Sequence, residues 1–113
     1  MYVRTSHWRC KAEFAEESVK LFNDLVFRTM ENEPDCLAMQ LMGEGEARIA
    51  VTVFSSESAY RAWKDRTSDI QGITDAFAHM YVDGEPPRPF DYPLLASREF
   101  ERHRDDNGKP DHC

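Results

Sequence analysis

The sequence predicts an α+β domain in the order strand, helix, strand, strand, helix, strand. Three observations predict it. Apolar residues recur at helical spacing between residues 13 and 31. Two strand-like runs, 36–42 and 46–54, flank a Gly43-Glu44-Gly45 turn. A second helical signal after residue 55 is followed by a last strand-like run.

The chain has 113 residues, 41% of them apolar. That suits one domain with one core. The expected division is a domain over 1–100 and a polar, charge-rich tail over 101–113, read as mobile. A domain this small leaves much of its surface exposed, so a second copy would bury more.

Taken in order, Tyr2 to Cys10 reads as the first strand. Val3, Thr5 and His7 share one face, and Tyr2, Arg4, Ser6, Trp8 and Cys10 the other. A helix follows over about Glu13 to Glu31. Val19, Phe22, Val26 and Met30 recur along it, and Glu13, Glu16 and Glu17 suit the positive end of its dipole. Asn32-Glu33-Pro34-Asp35 ends it as a turn. Cys36 to Met42 and Glu46 to Phe54 form a hairpin. In its second strand, Ile49, Val51 and Val53 lie opposite Arg48, Ala50, Thr52 and Phe54. The β-branched series resembles Val3 and Thr5 in character, so that face is expected to meet the helices.

Ser55 and Ser56 can cap a second helix containing Ala59, Tyr60, Ala62 and Trp63. A break near Arg66-Thr67 precedes Ser68-Asp69-Ile70-Gln71, a capping-box pattern. Ile70, Ile73, Phe77 and Met80 then share a face. Three prolines make 83–89 irregular. The last strand is expected around Tyr92 to Phe100.

This order is the split βαβ arrangement of ferredoxin-like βαββαβ domains, with a four-stranded antiparallel sheet and both helices on one side. The other sheet face would carry Tyr2, Arg4, Trp8, Arg48, Thr52 and Phe54. It is too aromatic for solvent and too polar for a core, so a two-fold partner is expected to cover it.

Charge and cysteine content narrow the function classes. A net charge of −7, with basic residues scattered among acids, disfavours nucleic acid. The opening residues lack the apolar core of a signal peptide. No run approaches the ~20 apolar residues that span a bilayer. A cytoplasmic location is the resulting expectation. Cys10, Cys36 and Cys113 are too few and too dispersed for a disulfide framework or a zinc site.

Three segments now resemble the antibiotic-biosynthesis-monooxygenase family. They are the opening Met1-Tyr2-Val3-Arg4, the stretch from Glu33-Pro34-Asp35-Cys36 to Leu41, and Phe54-Ser55-Ser56-Glu57 onward to Trp63. The resemblance covers roughly residues 1–100. It implies a dimeric α+β barrel made of two sheets packed face to face, with a cleft between sheet and helices in each subunit. Some members oxidise polycyclic aromatic compounds with dioxygen and no metal or flavin. Others bind and degrade haem, and many have no assigned activity. Haem-degrading members are matched at Trp63. Ser6 or His7 stands where they have an asparagine, and His79 lies later than their haem-ligand histidine.

The expected catalytic residue is His7, whose ordinary pKa near neutrality suits a base acting on a phenol. Phe22, Trp63 and His79 are the expected substrate contacts, with Met39 and Phe77 as further candidates. Each has a plainer alternative: a strand-end histidine, core aromatics, a solvated histidine at a helix end. Tyr60, Tyr81 and Tyr92 can donate hydrogen bonds but have no diagnostic spacing. His103, His112 and Cys113 lack metal-ligand spacing. The leading expectation is a homodimeric, cofactor-independent monooxygenase acting on an aromatic or phenolic small molecule. Haem binding or degradation, and a non-catalytic ligand-binding dimer, are the alternatives.

Overall fold

The computed structural model describes residues 1–100, apart from the side chains of residues 67–69. The expected tail over 101–113 and the proposed Ser68 cap lie outside the described residues. Strand β1 (Tyr2–Arg9) leads into a 3-10 turn (Ala12–Phe14), α1 (Ala15–Leu21), a π-helical stretch (Phe22–Phe27) and α2 (Arg28–Glu31). Then come β2 (Cys36–Glu44), β3 (Ala47–Phe54), α3 (Glu57–Asp65), α4 (Thr67–Phe77), two 3-10 turns (Ala78–Met80, Val82–Gly84) and β4 (Arg88–Pro93). The antiparallel sheet has the order β2-β3-β1-β4. This is the predicted α+β architecture.

Local chemistry explains most boundaries. The Ser56 side chain accepts a 3.1 Å bond from the Ala59 amide and caps α3. The break after α3 falls at Arg66, whose backbone leaves the helical region. Arg66 also reaches back 2.7 Å to Glu33 at the turn after α2. In the β2–β3 hairpin, Gly45 takes a positive φ of 59°, a conformation that favours glycine. Arg48 Nη1 donates to the Gly45 and Ala47 carbonyls at 2.8 and 2.7 Å, closing that turn.

The last strand lies earlier than expected. β4 spans Arg88–Pro93, includes Pro89, and pairs Tyr2 with Pro93 and Arg4 with Asp91. It is an edge strand, where a missing N–H need not break a ladder. Residues 94–100 form no regular element.

The sheet faces are reversed relative to expectation. Tyr2, Trp8, Arg48, Ala50, Thr52 and Phe54 are buried beneath the helices. Val3, Thr5, Ile49, Val51 and Val53 lie on the helix-free face and are only half-buried. His7 is exposed on that same face. The physical reason is size. The inner sides of the helices carry Phe22, Met30, Trp63 and Phe77, and the sheet meets them with its own large aromatics. The slimmer β-branched side chains form the outer face.

Candidate functional site

A cavity of about 310 Å³ lies between the sheet and the helices. Its floor is Arg4, Ser6 and Trp8 of β1 with Ala50 and Thr52 of β3. Phe22 and Val26 form one wall, from the π-helical stretch. Such stretches are rare and concentrate at functional sites. Trp63 of α3 and Ile73 and Phe77 of α4 form the opposite wall, and Pro86, Pro87 and Pro89 line the mouth.

The aromatic rings meet edge to face. Trp8 and Phe77 are 5.5 Å apart at 71°, Trp8 and Tyr81 5.5 Å at 75°, and Phe22 and Phe77 6.3 Å at 68°. That geometry suits ring quadrupoles. It also presents flat apolar surface to anything in the cavity.

Of the four expected site residues, Phe22 and Trp63 meet in this cavity, together with Met39 and Phe77. His7 does not join them. The expectation that it faces the helices is corrected: the strand's alternation puts it on the opposite side of the sheet. There its Nε2 lies 3.1 Å from Thr5 Oγ1 and its ring stands edge-on to Phe90 at 5.3 Å. His79 is also outside the cavity. It sits on the surface, edge-on to Phe14 at 5.0 Å, with Nε2 3.6 Å from Glu17. Arg4, Ser6 and Thr52 were missed as site residues because sequence reasoning gave them to the outer face.

Arg4 stands out electrostatically. Its Nη1 is buried with no hydrogen-bond partner among the described residues, and so is Trp63 Nε1. The Arg4 guanidinium carbon lies 5.1 Å from the Trp63 ring centroid, within cation–π range.

Beside the cavity is a second polar cluster that the sequence did not reveal. Asp91 accepts from the Tyr2 hydroxyl at 2.5 Å and the Tyr60 hydroxyl at 3.0 Å. The bond from Tyr2, helped by the one from Tyr60, holds the Asp91 carboxyl below its ordinary value. The same bond, with burial, pushes the Tyr2 phenol up to about 12. Burial pushes Tyr60 up as well, and takes Tyr81 to about 12.

These shifts predict a pH profile. Phenols raised in the folded state add stability that is complete below their unfolded value of 10 and lost as pH climbs towards 12. The lowered Asp91 adds stability above its unfolded value of 3.8, lost as pH falls below it. Thermal unfolding followed against pH is therefore expected to weaken steeply between pH 10 and 12. The double variant Tyr2→Phe, Tyr81→Phe should flatten that limb; an unchanged limb would discount both phenols.

Among the described residues, no helix is long and apolar enough to cross a membrane. None of their His, Cys, Asp and Glu side chains gather in threes to hold a metal ion.

The antibiotic biosynthesis monooxygenase family matches residues 1–70 of the chain. No curated protein matches it. Solved structures share the fold. A candidate antibiotic biosynthesis monooxygenase from Nitrosomonas europaea superposes with a TM-score of 0.67 at 17% identity, covering 85% of this chain and 100% of that one. One from Deinococcus radiodurans gives 0.69 at 13% identity, covering 89% and 99%. The haem degrader MhuD from Mycobacterium tuberculosis, solved with two haems in its active site, gives 0.61 at 19%, covering 88% and 100%.

Proposed function

The chain belongs to the antibiotic biosynthesis monooxygenase family, and from that premise we propose that it oxygenates a flat aromatic small molecule in the cavity between sheet and helices. The observation that carries this reading is the cavity's aromatic lining: Trp8, Phe22, Trp63 and Phe77 around an open space of about 310 Å³. Pockets of this kind, mostly apolar with a few polar groups, hold small ligands. Here the polar side chains are Arg4, Ser6, Thr52, Thr74 and Tyr81. A cavity packed solid would instead have favoured a non-catalytic role.

In the proposed reaction a CH₂ flanked by aromatic rings becomes a ketone. One atom of dioxygen enters the product and the other leaves as water. The substrate itself supplies the electrons, so no flavin or metal is needed. The protein's part is to hold the ring and exclude bulk water. Dithranol, which has such a CH₂, is the probe. Oxygen uptake equimolar with quinone formation, above the spontaneous rate, supports the proposal. Uptake no faster than without protein rejects it.

Haem does not fit the cavity in the same way. The reading rests on Trp63 and on the likeness to MhuD. Among the described residues, no histidine lines the cavity to ligate an iron.

We also propose that a second copy of the chain covers the helix-free face, which carries Val3, Ile49, Val51 and Val53 in place of the expected Tyr2, Arg4, Trp8, Arg48, Thr52 and Phe54. Its half-buried Val3, Ile49, Val51 and Val53 adjoin exposed Phe90 and Tyr92, at 46% and 67% exposure. Exposed apolar side chains gathered on one face support this reading. On this reading His7 lies in the interface, away from the substrate. Light scattering should give a dimer mass for the native chain and a monomer mass for Val51→Lys, since an unpaired buried charge is strongly disfavoured. A dimeric Val51→Lys would move the interface elsewhere.

A further inference from the structure

We infer that the cavity is specific for an anion: an aromatic ring bearing a deprotonated oxygen, held by the Arg4 guanidinium and the Trp63 indole N–H. The inference rests on the proposed function and names its substrate class. Buried polar atoms are nearly always paired, so each orphan needs an explanation. Arg4 Nη1 and Trp63 Nε1 are the two orphaned buried side-chain atoms among the described residues. Both residues line this one cavity and lie against each other at 5.1 Å. Two unmatched donors, one of them cationic, call for an acceptor that carries negative charge.

The obvious internal acceptor is already engaged. Asp91 pairs in register with Arg4 on the adjacent strand. Its two oxygens are taken instead by the Tyr2 and Tyr60 hydroxyls, at 2.5 and 3.0 Å. Asp91 is held by those two hydroxyls, and Arg4 makes no hydrogen bond or ion pair with it, nor an ion pair with any other described residue. An uncompensated guanidinium in a partly apolar site is costly. A ligand oxyanion would offset that cost.

The lining also lacks a base. Among the described residues, no carboxylate or histidine faces the cavity, and its one phenol is Tyr81. The ligand therefore binds as an anion already present in solution, or gives its proton to water as the nearby cation lowers its pKa. Acidic phenols and enols, whose anions are also the electron-rich forms that react with dioxygen, meet this requirement. Aromatic carboxylates share the binding chemistry but not the reactivity.

The test is calorimetric titration of the full-length protein at neutral pH with three probes. They are 2-hydroxy-1,4-naphthoquinone, an anion at that pH; its neutral 2-methoxy ether; and 2-naphthoate. The enolate is expected to bind about ten- to a hundredfold more tightly than the ether, the range of a charged hydrogen bond. Arg4→Met should erase that preference, and Arg4→Lys should restore part of it. Trp63→Phe, which keeps a ring and removes the N–H, should reduce it. Preference for naphthoate over the enolate would uphold the anion site and assign it to carboxylates. Equal affinity for enolate and ether, or a preference that survives in folded Arg4→Met, would overturn the inference while leaving the aromatic cavity in place. Should Arg4→Met fail to fold, Trp63→Phe and the ether comparison on the native protein still decide. If none of the three probes binds, the inference and the proposed function fall together.

Discussion

Replacing Tyr60 by alanine is expected to destabilise the protein by about 3–5 kcal/mol, the range for deleting a large buried aromatic. For a chain of this size that lowers the unfolding midpoint by roughly 12–20 °C. Tyr60 is fully buried. Its ring lies 5.1 Å from Tyr2, 5.3 Å from Phe54 and 6.2 Å from Trp63. It joins α3 to β1 and β3 through packing, and to β4 through its bond to Asp91. Tyr60→Phe removes only that bond and should cost about 1 kcal/mol. Differential scanning calorimetry of both variants separates the contributions. Nearly equal losses would mean that the hydroxyl, and not the ring, holds the elements together.

Ala50→Phe is expected to abolish ligand binding. Ala50 is buried on the cavity floor, between the aromatic walls. A phenyl ring there occupies the space that a substrate ring needs. No heat of binding should appear for 2-hydroxy-1,4-naphthoquinone up to about a hundred times the native Kd. Because the ring enters existing space, stability should fall by no more than the ~1–3 kcal/mol typical of overpacking. Val51→Phe is the control. It is one residue further along the same strand, so its side chain leaves by the other face, and ligand affinity should be unchanged. Binding that survives Ala50→Phe would place the ligand outside this cavity.

That pair of neighbours also shows what was legible in the sequence. Alternation along β1 and β3 correctly sorted residues into two sets, because the period of two is a property of the backbone. It could not say which set faces the helices, because both carry large apolar side chains. Val3, Ile49, Val51 and Val53 looked like a core by composition, whereas the actual inner face mixes Tyr2, Trp8 and Phe54 with Arg4 and Thr52. The mixture is what a cavity needs: rings for its walls and a few polar groups on its floor. His7 was misplaced, and Arg4 overlooked, for this one reason.

The helices were easier to read. Ser56 has a local signature as a cap, and Phe22, Val26 and Met30 are buried as their spacing predicted. Val19 shared the pattern yet is 47% exposed, because the winding changes just after it to a π-helical stretch with no composition of its own. Phe22 and Trp63 face inward as their spacing predicted, since aromatic side chains at helical spacing point inward whether they serve packing or binding. Asp91 was missed because β4 contains Pro89 and Pro93, residues that argue against a strand unless its edge position is known.

The prolines that line the cavity have a kinetic consequence. Pro86, Pro87 and Pro89 stand at the mouth of the cavity, and each ring fixes its backbone φ. A loop that must become ordered around a guest subtracts that ordering from affinity; here little torsional freedom is left to lose. The entrance behaves as a fixed aperture. Exchange rates across a series of ring systems should then follow molecular width, narrow molecules passing quickly and broad ones slowly, with no common opening step limiting them all.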